Sequence, residues 1–305
     1  MIPSLLSVAV VAQTIRMAVP YVCAGIGGVW SERSGVVNIA LEGILLGGGL
    51  AGVVGHLATG SAGAGVLAGA ALGAALGAVH ALLVVYGGVD AIVSGLAINL
   101  AAAGGSRIVL RALYASSSNS PSIAGFPVAV SGPSDAALLL RTCLDPTTLL
   151  TAGLVAWTGW TLAQTRLGLR VRASGDSPMA ATSAGVDVKR VRVAAVSIGG
   201  AIAGLGGVAL AYDQHQFQSG MSGGRGFIAL AAVILSGWRP GRAAGACVAF
   251  AALDAAQILV QQRTGTAASV APMLPYVATL VALWLVARRR GVGEARPPAA
   301  LGREL

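Results

Sequence analysis

The side chains with the clearest chemical potential in this sequence are polar groups inside long apolar stretches. Asn38 and Glu42 lie in one stretch, Asn99 lies near the centre of another, and Asp254 and Gln257 lie in a third. Charged and amide groups are costly in the hydrocarbon core of a membrane, so they mark either a route for a polar solute or a structural pair. Because Asn38 and Glu42 are four residues apart, we expect them on one helix face. Asn38, Glu42 and Asn99 are therefore candidate lining residues of a polar path.

Structural roles for the acidic groups remain an alternative. Glu42 and Asp254 have the chemistry to cap neighbouring helices or to pair with Arg16 or Arg33. Glu32 and Arg33 lie in a break between two apolar stretches. Their position favours a turn at the membrane interface, in which the two residues pair with each other or cap a helix.

The sequence lacks the motifs of catalytic and metal-binding sites. No glycine-rich loop ends in Lys-Ser or Lys-Thr, and Lys189 is the only lysine, so the chain has no phosphate-binding loop of its own. Cys23, Cys143 and Cys247 are too far apart in sequence to suggest a metal site or a disulfide framework. We expect no catalytic residue, no bound metal and no cofactor. An intramembrane enzyme with a buried catalytic pair is the remaining alternative of that kind.

Composition predicts that the chain lies in a membrane. Of its 305 residues, 55% are hydrophobic and 10% are charged, whereas about 25% of residues are charged in an average soluble protein. The apolar residues fall in runs of about 20, the length with which a helix crosses a hydrocarbon core about 30 Å thick. A soluble enzyme, a disordered chain and a disulfide scaffold are excluded. We predict an all-α, polytopic membrane helix bundle with about 8–10 transmembrane helices, located in the cell membrane.

Glycine and proline divide the chain into nine apolar segments. They cover residues 4–29, 36–57, 62–86, 89–113, 146–165, 191–212, 226–236, 242–262 and 271–287. The segment 226–236 is short, because a helix of this length spans only about 16 Å. We expect it to be either a half-helix or continuous with a neighbour. Residues 1–290 form one predicted transmembrane domain, and residues 291–305 form a cytoplasmic tail.

Basic residues predict the orientation and argue against nucleic acid as a partner. The net charge is +9, with six basic residues between 166 and 192 and three consecutive arginines at 288–290. Clusters beside membrane spans lie in the cytoplasm by the positive-inside rule. No aromatic residues interleave with them, as they would in a binder of single-stranded nucleic acid. The N-terminus and the polar stretch 115–145 are then predicted outside the cell.

A short capped helix is predicted inside the basic loop 166–190. Serine suits the N-cap, proline the first helical position and glycine the position just past the end, which predicts a helix over 178–184. Its side chains are small, so it would form a smooth rod that fits a groove in another protein. A surface helix without a partner is the alternative. The candidate docking residues are Ser177, Pro178, Ala180, Ala181, Ala184 and Gly185.

Several motifs resemble the permease subunits of bacterial ABC importers in the branched-chain amino acid and simple-sugar group, nearest to the nucleoside branch. The most specific is WSERSGVVNIALEG, which runs from Trp30 to Gly43. The other motifs, in the order in which the family has them, are IRMAVP (15–20), IVSGLAINL (92–100), LRVRASGDSPMAATSAG (169–185), GRGFIALAAVILSGWRP (224–240) and LPY (274–276).

This resemblance implies a function and a set of partners. Residues 178–184 would be the coupling helix, seated in a separate cytoplasmic ABC ATPase subunit. A second permease subunit would complete a heterodimer, and an extracytoplasmic solute-binding lipoprotein would deliver the solute. Asn38, Glu42 and Asn99 would face the translocation path. A nucleoside is the implied solute; a pentose or other simple sugar, a branched-chain amino acid, and a stand-alone secondary transporter remain alternatives.

Overall fold

Helices make up most of the chain in this computed structural model, which describes residues 8–126, 134–261, 273–289 and 297–302. No strand occurs in these ranges, and a single isolated bridge joins Asn119 to Gln218. The predicted all-α class is confirmed. The helices are α1 (Val8–Arg33), α2 (Leu41–Thr59), α3 (Ala62–Val85), α4 (Ala91–Tyr114), α5 (Asp135–Cys143), α6 (Pro146–Gln164), α7 (Arg166–Asp176), α8 (Pro178–Ser183), α9 (Val188–Asp213), α10 (Arg225–Leu235), α11 (Pro240–Gln261) and α12 (Leu274–Arg289).

Five of the described helices are long and apolar enough to cross a membrane, namely α1 to α4 and α9. A sixth span results if α5 and α6, which meet at an angle of 52°, are counted together. The predicted total of 8–10 crossings would add α10, α11 and α12, and that total stays a prediction. For 226–236 the half-helix expectation is confirmed, because α10 is a separate helix of 11 residues and continues neither α9 nor α11.

Helix α9 lies at the centre of the bundle and packs against α1, α2 and α3. On the other side of α1, helices α10 and α11 complete the largest apolar cluster of the described residues. Trp30 is fully buried in this cluster, and its indole Nε1 donates to Thr158 Oγ1 of α6 at 3.0 Å. The apolar faces of the surrounding helices thus pack against α1 and α9.

Glycines allow α2, α3 and α9 to approach closely. Gly65, Gly69, Gly73 and Gly77 lie on one face of α3 and are buried. A Cβ on Gly73 would collide with the carbonyl oxygen of Gly200 in α9, and a Cβ on Gly69 would lie 2.7 Å from Gly48 O in α2. Small residues every four positions give such close helix contacts in lipid, where the hydrophobic drive for association is weak.

The basic loop 166–190 contains one more helix than predicted. Helix α7 precedes α8, and the Thr165 hydroxyl caps its start by accepting a hydrogen bond from Gly168 N at 3.1 Å. Residues 297–302 of the predicted tail return to this region: Ala300 N donates to Gly175 O at 2.9 Å and Gly302 N donates to Gly35 O at 3.3 Å. The C-terminal segment therefore touches both the end of α7 and the connection between α1 and α2.

Candidate functional site

The break between α1 and α2 extends into the apolar segment 36–57, whose first residues the sequence predicted to be helical. Residues 34–40 are not helical, and α2 begins only at Leu41. The prediction that Asn38 and Glu42 share a helix face is therefore wrong, because Asn38 precedes the helix. The interruption follows from Gly35, whose φ of +97° is a conformation that favours glycine. A Cβ at this position would also lie 2.8 Å from Arg192 Nη2.

Side chains from three other helices bind the carbonyl groups of this break. Arg192 Nε of α9 donates to Ser34 O at 3.1 Å, His80 Nε2 of α3 lies 2.9 Å from Val37 O, and Asn99 Nδ2 of α4 donates to Ile39 O at 3.0 Å. Non-helical backbone is tolerated at membrane depth only where such partners or a cavity satisfy it. The break is therefore a fixed feature that α3, α4 and α9 hold in place.

The three predicted path residues all lie around this break. Asn38 is fully buried, its Nδ2 donates to Ser31 Oγ at 3.0 Å, and its Oδ1 accepts no hydrogen bond from the part of the chain described. Asn99 Oδ1 accepts from Gly43 N at 2.7 Å, so the Asn99 amide forms hydrogen bonds both to the break and to the first turn of α2. The structure brings Asn99 and the first turn of α2 together, while a path-lining role for Asn38, Glu42 and Asn99 stays a prediction.

Glu42 binds the start of the half-helix α10. Its Oε1 accepts from Gly224 N at 2.8 Å and its Oε2 accepts from Gly226 N at 2.7 Å. Free N–H groups and a positive dipole end make a helix N-terminus a good site for a carboxylate. Gly224, the N-cap residue of α10, has no side chain to do this. The capping alternative is thus confirmed for Glu42, and two interrupted spans, α2 and α10, begin side by side.

The ion pairs of Asp254 and Arg16 differ from those that the sequence suggested. Asp254 pairs with Arg225 at 3.1 Å, and both side chains are largely buried. Tyr21 Oη donates to the same Asp254 oxygen at 3.2 Å. Arg16 instead pairs with Asp213 at 3.7 Å. The structure therefore gives Asp254 a structural partner on α10 and not the Arg16 or Arg33 partner considered above.

Helix α8 presents most of its surface to solvent. It spans Pro178–Ser183, one residue shorter than predicted, and Gly185 follows with a φ of +80°. The Ser177 hydroxyl forms no capping hydrogen bond, contrary to expectation. Met179 is 85% exposed, whereas Ala181 is 4% exposed. Ala181 therefore packs against the permease itself, and the outward face consists of Met179, Ala180, Thr182, Ser183 and Ala184.

His80, Arg192 and Arg225 were missed as site residues at the level of sequence. Each is a polar or charged group inside or at the edge of an apolar segment, and that placement was the available signal. His80 is completely buried, with Nδ1 3.0 Å from Ser94 Oγ. Among the described ranges, no cluster of three or more His, Cys, Asp or Glu residues has the geometry of a metal site.

His80→Leu is expected to destabilise the protein by about 1–3 kcal/mol, because the half-buried Val37 O would lose its hydrogen bond to His80 Nε2. Thermal unfolding of the purified protein in detergent measures this loss. His56→Leu is the matched control, because Tyr212 Oη, the partner of His56, still donates to Ala62 O at 2.9 Å. Equal losses in both variants would contradict the role of His80 in holding the break.

Comparison with known proteins identifies the family of this chain. The model of the family described as "Branched-chain amino acid transport system / permease component" matches residues 10–283. The chain belongs to this permease family. It is a multi-pass protein of the cell membrane, and its family consists of transport permeases of ABC importers. The resemblance predicted from the motifs is confirmed.

Of three relatives similar to this permease, two match it along almost their whole length and the third along about three quarters of its length. NupQ of Bacillus subtilis, a guanosine ABC transporter permease, is 33% identical over 96% of this chain and 95% of the relative. NupC of Lactococcus lactis, a nucleoside ABC transporter permease, is 32% identical over the same shares. TsgC13 of Haloferax volcanii, provisionally named a glucose ABC transporter permease, is 33% identical over 81% of this chain and 76% of the relative.

Proposed function

We propose that this permease passes a nucleoside into the cytoplasm. The observation that carries the proposal is the end-to-end similarity to two permeases named for guanosine and for nucleosides. A simple sugar is the second candidate solute, since a third relative of similar identity is named for glucose. A branched-chain amino acid, suggested by the family description, is the third.

The transport cycle would need three partners. A cytoplasmic ABC ATPase would supply the energy, a second and related permease chain would complete the path, and an extracytoplasmic binding lipoprotein would deliver the solute. The sequence, with a single domain proposed for residues 1–290, contains no phosphate-binding loop, which agrees with this division of labour. ATP-driven closure of the ATPases would press the coupling helices together and rock the two permeases between inward-open and outward-open states.

The proposed path runs beside the paired starts of α2 and α10. Discontinuous spans in transporters direct their helix N-termini towards the solute site near the middle of the membrane. Here the first turns of both helices meet at Glu42, with Asn99 beside them. We infer that Glu42 and Asn99 shape this part of the path from their structural positions. Asn38, whose Oδ1 accepts no hydrogen bond from the described residues, would face the path from the adjoining break.

An uptake assay tests the solute. The permease is expressed with its neighbouring transporter genes in cells that lack their own nucleoside uptake, and labelled guanosine, ribose and leucine are compared. We expect uptake of guanosine, and excess unlabelled nucleoside should compete while ribose and leucine should not. Uptake of ribose or leucine alone would assign the permease to the corresponding alternative. Transport by the permease alone in liposomes would support a secondary transporter.

Ala184→Trp should uncouple ATP hydrolysis from uptake. Apart from Met179, the exposed side chains of α8 and of its C-cap residue Ala184 are small, and an indole at position 184 would hold the ATPase groove away from this face. We expect at least a tenfold loss of uptake with normal membrane insertion, which corresponds to about 1.4 kcal/mol of lost coupling. Uptake and ATPase activity of the reconstituted complex measure the effect.

Ala184→Ser is the control for this test, because serine keeps the surface small. It should transport as the unmodified protein does. Ala181→Trp is not a docking test, since Ala181 is buried against the permease and the larger side chain would disturb the fold. Full uptake by Ala184→Trp would remove the docking role of α8.

A further inference from the structure

A cavity at the cytoplasmic end of the bundle has the composition of a lipid site. It has a volume of about 390 Å³ and lies between the α1–α2 break, the turn from α3 to α4, and the start of α9. Basic residues near the start of α9 place it on the cytoplasmic side by the positive-inside rule. None of the path or coupling residues discussed above lines it.

The floor of this cavity carries a buried positive charge. Arg192 is 3% exposed, and its guanidinium donates to two neutral carbonyl oxygens, Ser34 O at 3.1 Å and Ser174 O at 3.4 Å. Arg192 takes part in none of the ion pairs found among the described residues. Buried charges are normally paired with an opposite charge, because the loss of hydration is costly. An anionic group in the cavity would supply that missing charge.

A second cation lies at the same cavity. Lys189, one helical turn before Arg192, has its ammonium 5.4 Å from the centre of the Tyr86 ring. Among the described residues that line the cavity, Asp90 is the only acidic one, and its Oδ1 accepts from Ile92 N at 2.9 Å and from Val93 N. Asp90 thus caps the start of α4, and the described lining holds two basic residues against this one acidic residue, which gives it an excess of positive charge.

The remaining walls are apolar and lead to the outer surface of the bundle. Val36, Val37 and Val89 form part of the lining. Tyr86 and Ile92 also line the cavity, and they are 55% and 51% exposed. A site for a small inorganic anion or a neutral nucleoside has no need of valine walls that open onto an apolar surface. A cationic floor with apolar walls suits an amphiphile whose anionic head enters the cavity.

We propose that this cavity binds an anionic phospholipid of the cytoplasmic leaflet. Its phosphate would sit near Lys189 and Arg192, and its glycerol and upper acyl chain would contact the valine walls. Basic pockets between helices on the cytoplasmic side are a known way of holding lipid headgroups. The bound lipid would neutralise Arg192, the residue that also holds Ser34 O of the break.

The test uses the full-length protein purified in a neutral detergent, with dioctanoyl phosphatidylglycerol, dioctanoyl phosphatidylcholine or inorganic phosphate added. Native mass spectrometry counts the bound molecules. We expect one retained phosphatidylglycerol, and neither phosphatidylcholine nor phosphate retained at the same concentration. Equal retention of both lipids would overturn the proposal. Retention of phosphate with the affinity of phosphatidylglycerol would also overturn it, since it would show a site for a free anion.

Three variants locate the binding. Lys189→Gln should weaken phosphatidylglycerol binding about fivefold, the effect of one basic residue near an anionic lipid. Arg190→Gln is the matched control, because Arg190 is exposed and pairs with Asp187 at 3.0 Å, and it should bind as the unmodified protein does. Val89→Trp should remove binding by filling the cavity while both cations remain.

Equal binding by Lys189→Gln and Arg190→Gln would contradict the site, as would undiminished binding by Val89→Trp. One further outcome would assign the cavity to a protein instead. If Lys189→Gln lowered the affinity for the partner ATPase and left phosphatidylglycerol binding unchanged, an acidic segment of the ATPase would be the ligand.

Discussion

Gly204→Ala is expected to destabilise the protein by about 3 kcal/mol, the upper end of the usual cost of overpacking. Gly204 lies where α9 meets α2 and α3. Its added Cβ would collide with Gly69 O and lie 3.0 Å from Gly73 Cα, both in α3. These neighbours are backbone atoms, which cannot rotate away as a side chain can. The helices would have to separate, and the break that α3 and α9 hold would lose its supports.

Thermal unfolding in detergent and the yield of monodisperse protein measure this effect. Gly153→Ala in α6 is the matched control, because a Cβ at Gly153 meets no atom within 4 Å. In a helix this change should be neutral or stabilising by up to about 1 kcal/mol, since alanine has the higher helix propensity. If the two variants unfolded alike, the close approach of α9 to α3 would not be a determinant of stability.

Glu42→Ala should destabilise the protein by about 3 kcal/mol and abolish uptake, because two hydrogen bonds to a charged acceptor are lost, each worth about 1.5–3 kcal/mol. The donors are Gly224 N and Gly226 N at the start of α10. Without the carboxylate, α10 would begin in the interior with uncapped N–H groups. The start of α10 would then separate from α2, and the paired arrangement beside the proposed path would be lost.

Glu42→Gln separates the contributions of charge and shape. The amide can accept one of the two hydrogen bonds but presents an N–H group to the other donor, so an intermediate loss is expected. Asp135→Ala, in the exposed first turn of α5, is the acidic control and should change stability and uptake little. A Glu42→Ala protein of normal stability that failed to transport would show that the carboxylate acts on the solute and not on α10.

The amino-acid sequence by itself determined the class of protein, the family and the position of the short helix α8. These follow from properties that are local along the chain. Runs of apolar residues set the length of a span, a Ser-Pro start and a glycine past the end delimit α8, and the segment Trp30 to Gly43 carries the family resemblance. The glycine row of α3 likewise indicated close packing, because its four-residue spacing places every member on one face.

The tertiary structure decided which partner each polar group has. Glu42 is 182 residues from Gly224, and Asn99 is 56 residues from Gly43. No periodicity along the chain encodes these pairs. The break at 34–40 also depends on tertiary contacts, because the carbonyl groups of Ser34, Val37 and Ile39 are bound by side chains of α9, α3 and α4. Backbone groups in an apolar environment must find a partner, but the chain meets those partners only when the helices pack together.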